Sequence, residues 1–385
     1  MISRKNSGKC SSPGSSVHGN HHLLSLDFTA ICSKDLFPSK VSVLVFVLYM
    51  GLFINQGILV TASRRGGDSY SYSTTTVVLL TEVVKLVASL LLYFSTSSQR
   101  SLVRDIVLHY KLFIHYLVPA ALYSVYNNLS FLNLVSFDPT TYFLFLQFRV
   151  VVTGLSYQCV FRRTLSKRQW VSLIILTVGC IIKNMGVVAT KEGASESFMN
   201  RLVESIASIQ LLFIIVQIFC SSLAGVYCEF LLKRLSKGEE VDLHFQNICM
   251  YFDSIVCNGF LLSVHAAFSQ NPVETQMVTW KSITEVGKPL VLLLILNNSA
   301  VGIVTAFFLK TFNSILKTFA SALELMFTAV LCWLIFGIPI DYATVVAIFV
   351  VSYAILLYAQ NPIKNEHVVT SGSSTAPLFM NEEGS

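Results

Sequence analysis

The sequence contains little charge, since Asp, Glu, Lys and Arg make up 12% of its 385 residues. That share is about half of what a soluble globular protein carries. The alternating apolar and polar pattern of membrane strands is absent, which argues against a β-barrel. The nine cysteines form no Cys-x-x-Cys pair, which argues against a zinc site or a disulfide scaffold. No Walker or Gly-x-Gly-x-x-Gly phosphate loop occurs, so a soluble nucleotide-binding fold is excluded.

Long apolar stretches are abundant instead, because 54% of the residues are hydrophobic and 28 are Phe. A helix needs about 20 mainly apolar residues to cross a bilayer. The sequence therefore predicts an all-α integral membrane protein with ten transmembrane helices. We place them near residues 41–62, 74–97, 112–135, 140–161, 168–188, 208–233, 246–268, 288–309, 315–337 and 341–360.

The distribution of Lys and Arg predicts the orientation of these helices. Loops after even-numbered stretches, together with the two tails, hold eighteen of these residues, against six in the other loops. Basic residues are enriched on the cytosolic side of membrane proteins, so both termini are expected in the cytosol. This bias explains the net charge of +6 without a nucleic-acid partner. Residues 1–40 and 362–385 are polar and are expected to be disordered tails, and no metal or cofactor is expected.

One full positive charge, Arg149, lies about ten residues into the fourth stretch, near mid-depth of the membrane. A cation there is unfavourable by about 2.5–3.5 kcal/mol and normally faces a bundle interior or an aqueous cavity. Tyr142 lies seven residues earlier, on the same face of a continuous helix. Lys317 is a second cation, early in the ninth stretch. These positions predict a polar interior site.

Other polar residues share helix faces with the spacing that such a site needs. Tyr123 pairs with Asn127, and Asn247 with Tyr251, while Glu82 and Lys85 neutralise each other or lean towards the cavity. Cations bind phosphate, tyrosine rings stack on a base or sugar, and amides bind carbonyls and hydroxyls. The candidate substrate-binding residues are Tyr123, Asn127, Tyr142, Arg149, Asn247, Tyr251 and Lys317, with support from Glu82, Lys85, Asn298, Gly302 and Thr305.

Plainer interpretations of the same residues stay open. Membrane Asn and Gln often only join helices, interfacial Tyr anchors helix ends, and Lys317 also fits a cytosolic flank. Glu324 fits either a pair with Lys183 or a proton-coupling role. The stripe formed by Ser221, Ala224, Gly225 and Cys228 fits static packing as well as a sliding helix crossing.

The two halves of the chain carry a faint repeat. Asn127-Asn128 precedes the cation Arg149, and Asn297-Asn298 precedes the cation Lys317 at a similar distance. An odd number of helices in each half inverts the halves relative to each other, as in many transporters. We expect five helices in residues 41–188, a loop at 189–207 and five helices in 208–361.

The sequence resembles the nucleotide-sugar transporters of solute carrier family 35, in the branch of the CMP-sialic acid and UDP-galactose transporters. The motifs in common are YSTTTVVLLTEVVKL (72–86), VPAALYSVYNNLSFLNL (118–134), AGVYCEFLLK (224–233), QNICMY (246–251) and LKTFNSILKTFAS (309–321). The resemblance spans about residues 41–360. It implies two inverted five-helix halves and antiport of a nucleotide sugar, most readily UDP-galactose, against its nucleoside monophosphate, UMP, across the Golgi membrane.

The resemblance also implies that Tyr123, Asn127, Tyr142, Asn247, Tyr251 and Lys317 contact substrate. Arg149 stands where the family has lysine, and Glu324 where it has an uncharged residue. Val301-Gly302 replaces a glycine pair, and Ala306 replaces a small polar residue. Because of these departures, the substrate could also be a CMP-sugar, a GDP-sugar or another phosphorylated metabolite. Separately, a homodimer stays open. A membrane-embedded transferase or a scaffold is the remaining alternative, but no acidic or histidine cluster supports a transferase.

Overall fold

The computed structural model describes residue 37 and residues 39–64, 74–96, 101–136, 139–189, 209–234, 241–268, 287–337 and 340–363. The regular elements in these ranges are all α-helices. They are α1 (Lys40–Arg64), α2 (Thr74–Thr96), α3 (Leu102–Leu108), α4 (Tyr110–Ser136), α5 (Pro139–Leu146), α6 (Arg149–Phe161), α7 (Lys167–Ala189), α8 (Gln210–Arg234), α9 (Leu243–Phe268), α10 (Pro289–Thr311), α11 (Ser314–Phe336) and α12 (Tyr342–Ala359).

Each of the ten predicted stretches is helical where the structure describes it, with ends within about three residues of the prediction. Seven helices in the described ranges are long and apolar enough to cross a membrane, and an eighth is added if α3 and α4 form one span bent by 85°. The fold is thus that of a multi-pass membrane protein. The full set of ten spans stays a prediction, and the tails 1–36 and 364–385 lie outside the described residues.

The fourth span is broken in its middle. The amides of Gln147 and Phe148 donate three residues back, to Leu144 and Phe145 at 3.2 and 3.1 Å, and such tight turns inside a helix often mark a functional hinge. Helix α5 ends before this break and α6 begins at Arg149, yet residues Tyr142–Phe161 together form one candidate membrane span. That Tyr142 and Arg149 share a face of this span stays a prediction.

Three residues of the sequence have the position and side-chain type of a helix N-cap, namely Asp138, Asn313 and Asp341. The last two lie in described residues. The prediction for Asn313 is confirmed, because its side chain accepts a hydrogen bond of 2.7 Å from the amide of Leu316 at the start of α11. Asp341 does precede α12, but its carboxylate accepts from the Thr344 hydroxyl and makes no side-chain cap to a backbone amide. Asp138 lies outside the described residues.

The helices pack as two groups with two further pairs beside them. Helix α8 packs against α4 and α6, and we call these three the α8 group; α1 packs against α10 and α11, the α1 group. The remaining long helices form the pairs α2–α9 and α7–α12. The α8 group and the α1 group meet along a sparser seam of α6 with α11, α8 with α10 and α8 with α11.

Buried apolar side chains surround this seam. The largest cluster draws from α1, α6, α7, α10, α11 and α12, and includes Tyr157, Phe308 and Phe319. A second cluster joins α2, α4, α8 and α9 around Tyr93 and Phe245. The candidate cations Arg149 on α6 and Lys317 on α11 therefore stand on opposite sides of the seam, one in each helix group.

Candidate functional site

The two cations that the sequence singled out lie near each other. Arg149 is the first residue of α6, and Lys317 lies one turn into α11. Helices α6 and α11 are in contact across the seam, and the two positive charges disfavour each other there. Within the described residues, neither side chain has a carboxylate at ion-pair distance. An uncompensated pair of like charges in a membrane interior is unfavourable and is stabilised by an anion placed between them.

Two side chains of the candidate site combine depth in the bundle with partial exposure. Lys317 lies deep inside the bundle, yet its side chain keeps partial solvent access. Tyr123 on α4 has the same combination of depth and access and packs beside Cys228 of α8. Its hydroxyl lies 3.6 Å from the position that a Cβ would take at Gly225. Both side chains are therefore candidates for contact with a ligand.

A second charged cluster, in contrast, is internally neutral. The Lys85 ammonium lies 2.5 Å from the Glu82 carboxylate and 4.7 Å from the centroid of the Tyr251 ring, a distance typical of cation–π contact. A Cβ at Gly302 would come within 2.4 Å of Lys85 Cδ, so this glycine of α10 leaves the space that the lysine stem fills. The pairing of Lys85 with Glu82 is thus confirmed, and its contact with Tyr251 is compatible with the alternative that it leans towards a cavity, which stays a prediction.

Two amides beside this cluster have buried polar atoms without a hydrogen-bond partner in the described residues. They are Nδ2 of Asn247, a donor, and Oδ1 of Asn298, an acceptor. Each lies four residues before a member of the Lys85 cluster, Tyr251 and Gly302, and so shares its helix face. An unsatisfied buried polar group is unfavourable by about 1–3 kcal/mol. These atoms are therefore suited to binding a hydroxylated or carbonyl-bearing ligand.

Some predicted site residues are engaged elsewhere. The Tyr142 hydroxyl, 4% exposed, accepts a hydrogen bond of 2.7 Å from Gln217 of α8. Gln217 also donates to Ser130 and accepts from Asn133 at 2.6 Å, which ties α4 and α5 to α8. The Thr305 hydroxyl donates to the Val301 carbonyl within α10. Tyr142 thus joins a structural network, in keeping with the helix-joining role that membrane amides often have.

The repeated Asn-Asn pairs play different local roles. Asn297 is 7% exposed and its Oδ1 accepts from Asn55 of α1 at 2.8 Å. Asn128 donates to the carbonyl of Ser124 in its own helix. Asn127 is half-buried, one turn after Tyr123 on the same face of α4. Of the four residues, Asn127 and Asn298 therefore remain candidates for ligand contact.

Glu324 lies on the face of α11 that carries Lys317, seven residues further along. Its charge interacts with those of Lys183 and Arg149. No ion pair forms between Glu324 and Lys183 in the described residues; the Lys183 ammonium instead donates to the Leu325 carbonyl at 3.3 Å. Glu324 is thus a more distant counter-charge near the cleft, and its alternatives stay open.

The sequence analysis missed a buried carboxylate, Glu229 of α8, which is 0% exposed. It accepts hydrogen bonds from the amide and hydroxyl of Ser314 at 2.6 and 2.7 Å and from Lys233 at 2.8 Å. The signal was present, because Glu229 and Lys233 have the four-residue spacing of a helical ion pair. Lys233 is the last residue of the sixth predicted stretch, and the sequence analysis did not consider its pairing with Glu229.

A helical membrane bundle that holds two cations without a carboxylate at ion-pair distance, beside unsatisfied amides, is suited to an anionic, hydroxylated ligand. Comparison with known proteins agrees with this class. The family model described as "Nucleotide-sugar transporter" matches residues 39–359, and the chain belongs to this family. Its members are transporters and not enzymes.

Several curated relatives cover most of the chain. The "UDP-galactose transporter senju" of Drosophila melanogaster is 47% identical over 359 residues, which is 86% of this chain and 89% of the relative. "CMP-sialic acid transporter 1" of Arabidopsis thaliana is 30% identical and covers 74% of this chain and 80% of its own. One solved structure matches with a TM-score of 0.56 at 11% identity, over 81% of this chain and 97% of its own, and supports the fold alone.

Proposed function

We propose that this protein carries a UDP-sugar, most readily UDP-galactose, into the Golgi lumen in exchange for UMP. The choice of nucleotide and sugar is supported by the relative at 47% identity, whose name is that of a UDP-galactose transporter. The observation that carries the proposal is the approach of Arg149 and Lys317 from two helix groups without a carboxylate at ion-pair distance. A diphosphate supplies the anions that such a pair requires.

The remaining groups divide the ligand between them. Arg149 presents a planar fork to phosphate, and Lys317 a compact point charge. The base and sugar are bound by Tyr123, Asn127, Asn247 and Tyr251. The most specific hydrogen bonds to the ligand come from the two unsatisfied amide atoms, Nδ2 of Asn247 and Oδ1 of Asn298. Tyr142 contributes by fixing α5, and thereby the approach to Arg149, through its hydrogen bond to Gln217. Glu82, Lys85, Gly302 and Thr305 form the supporting wall.

The proposed architecture is ten spans in two inverted halves, residues 41–188 and 208–361. The packing supports it, because a half-turn that exchanges the halves maps α4–α8 onto α10–α1 and α6–α8 onto α11–α1. The same operation maps the pairs α2–α9 and α7–α12 onto themselves.

Charge neutralisation explains why such a carrier exchanges substrates. With the cleft empty, two like charges resist closing into a low-dielectric seal. A bound nucleotide cancels them, so the loaded carrier reorients more readily than the empty one. Alternating access with obligate exchange follows. The Lys and Arg bias of the loops supports a topology with both termini in the cytosol.

The test is uptake into proteoliposomes that contain the full-length protein and are preloaded with UMP, CMP or GMP. We expect labelled UDP-galactose to accumulate fastest into UMP-loaded vesicles and to be recovered chemically unchanged. Preference for CMP with a CMP-sugar would instead favour the second candidate, a CMP-sugar carrier, which the relatives named CMP-sialic acid transporters motivate. Uptake that no nucleotide stimulates would contradict both.

A further inference from the structure

Glu229 makes a polar contact across the seam between the two helix groups. Its residue lies on α8, and the Ser314 groups that it accepts from begin α11. The Ser314 hydroxyl is also within 3.2 Å of the Gly225 carbonyl on α8. The Lys233 ammonium contacts the Phe312 carbonyl just before α11. We call these residues, Gly225, Glu229, Lys233, Phe312 and Ser314, the seam lock.

The seam lock lies at one end of the candidate site. Lys317 follows Ser314 by three residues, which is about 5 Å along the helix. Beyond the lock on the side away from Lys317, aromatic rings of α1 and α10 meet the residues before α11. Phe312 lies 4.9 Å from Phe308 and 6.1 Å from Phe46, measured between ring centroids. The lock and this aromatic cluster together lie at the end of the candidate site where α11 begins.

The chemistry of the seam lock suits a contact that opens and closes. Elsewhere each helix group is held by extensive packing, but α8 and α11 touch sparsely. If α11 moves away, Glu229 keeps its partner, because Lys233 lies on the same helix at 2.8 Å. Opening therefore leaves no buried charge without a partner. A buried charge without a partner would be strongly unfavourable. The freed Ser314 amide and hydroxyl become accessible to the water that enters the opening end.

We propose that Glu229 is a gating residue, whose bonds to Ser314 close one end of the substrate cleft and must break once in every transport cycle. The proposal rests on the transport function proposed above. It assigns to Glu229 a role in motion between the helix groups, separate from the binding roles of Arg149 and Lys317. A purely static role would instead have Glu229 hold α11 in place throughout the cycle.

A reversible covalent bridge separates the two roles. The pair variant Glu229→Cys with Ser314→Cys is made in a Cys228→Ser background, so that the neighbouring native thiol cannot react with an introduced one. Full-length protein in proteoliposomes is treated with a short bifunctional methanethiosulfonate reagent, and UDP-galactose/UMP exchange is measured before treatment, after it, and after reduction. The matched controls are the Cys228→Ser parent and the two single-cysteine variants under the same treatment.

We expect bridging to slow exchange by at least tenfold in the pair variant and reduction to restore it, with each control keeping its own untreated rate. UMP should still raise the unfolding temperature of the bridged protein, which shows that the binding site is intact. If exchange continues unchanged in the bridged pair variant, the gating role of Glu229 is overturned and the transport proposal is not affected. Absence of exchange in the untreated parent overturns the transport proposal and the gate together.

A second variant tests the same residue without a reagent. Glu229→Gln keeps the side-chain size and one acceptor oxygen but removes the charge. We expect kcat for exchange to fall severalfold while KM stays within about twofold, because the closed state is weakened and the cleft is not. A rise in KM with unchanged kcat would show that Glu229 holds Lys317 in place and would overturn its assignment as a gate.

Discussion

Two kinds of cation lie within the membrane helices, and they differ in their partners. Lys85 and Lys233 each have a carboxylate on the same helix, Glu82 at 2.5 Å and Glu229 at 2.8 Å. Arg149 and Lys317 have none at that distance among the described residues, although both lie beside the seam between the helix groups. The first kind is neutral with or without ligand. The second kind becomes neutral when an anion binds.

The difference between paired and unpaired cations indicates which of these charges serve stability and which serve ligand binding. A paired cation is neutralised within its own helix, and removing its partner destabilises the fold because a buried charge is left alone. An unpaired cation destabilises the empty protein, so removing it should leave the fold intact or more stable. The distinction predicts opposite outcomes for substitutions that look alike in the sequence.

The largest effect is expected from Arg149→Ala or Lys317→Ala. Loss of a desolvated contact with a charged ligand weakens binding by about 2–5 kcal/mol, so exchange should fall by roughly 30-fold or more. The unfolding temperature in detergent should not fall. The matched control is Lys310→Ala, which removes an exposed lysine at the end of α10 and should leave exchange unchanged. Normal exchange by either variant would remove that cation from the mechanism.

The paired region should respond in stability. Glu82→Gln leaves the Lys85 ammonium without its carboxylate, so the free energy of unfolding should fall by about 1–3 kcal/mol. Adding Lys85→Met should recover much of that loss, because the double variant has no buried charge at this place. Thermal unfolding of the four proteins measures the coupling. Additive effects of the two substitutions would show that the pair is not coupled.

A smaller effect is expected from Arg149→Lys, which keeps the charge but loses the planar fork. Two parallel hydrogen bonds to phosphate become one at best, so we expect about a tenfold rise in KM, or about 1.4 kcal/mol. Initial rates over a range of UDP-galactose concentrations give the value. An unchanged KM would mean that Arg149 acts by charge alone.

The smallest effect is expected from Gly302→Ala. The new methyl group would meet Lys85 Cδ at 2.4 Å, but a lysine stem is flexible and can move aside. Lys85 should then leave the Tyr251 ring, and KM should rise by about threefold, of the order of one weak cation–π contact. Equal KM values for the variant and the wild type would show that Lys85 does not shape the site.

Helix positions could be read from the sequence because hydrophobicity alone sets them, and all ten stretches are helical where described. The Asn313 cap was equally local. The features that the sequence did not predict depend on contacts between residues distant in the chain. The break before Arg149 has no Pro or Gly to announce it, and the partner of Tyr142, Gln217, lies 75 positions along the chain. Sequence periodicity places a residue on a face but does not name its neighbour.

The cations show the same limit. The depth of Arg149 in an apolar stretch predicted an interior position, and the structure brings it near Lys317. Glu229 was missed because its partner Ser314 lies on another helix, 85 positions away. That Arg149, Lys317 and the amides bind a ligand stays a prediction.

The most direct test of the central claim compares UMP with uridine, which lacks the phosphate. Affinities for both ligands are measured by calorimetry on the wild type, Arg149→Ala, Lys317→Ala and the double variant. If both cations hold one phosphate, each single variant should lose at least about tenfold in UMP affinity, and the double variant should lose less than the sum of the two in free energy. Uridine affinity should be the same in all four proteins. Equal losses for uridine and UMP, or UMP affinity that neither substitution changes, would contradict the account.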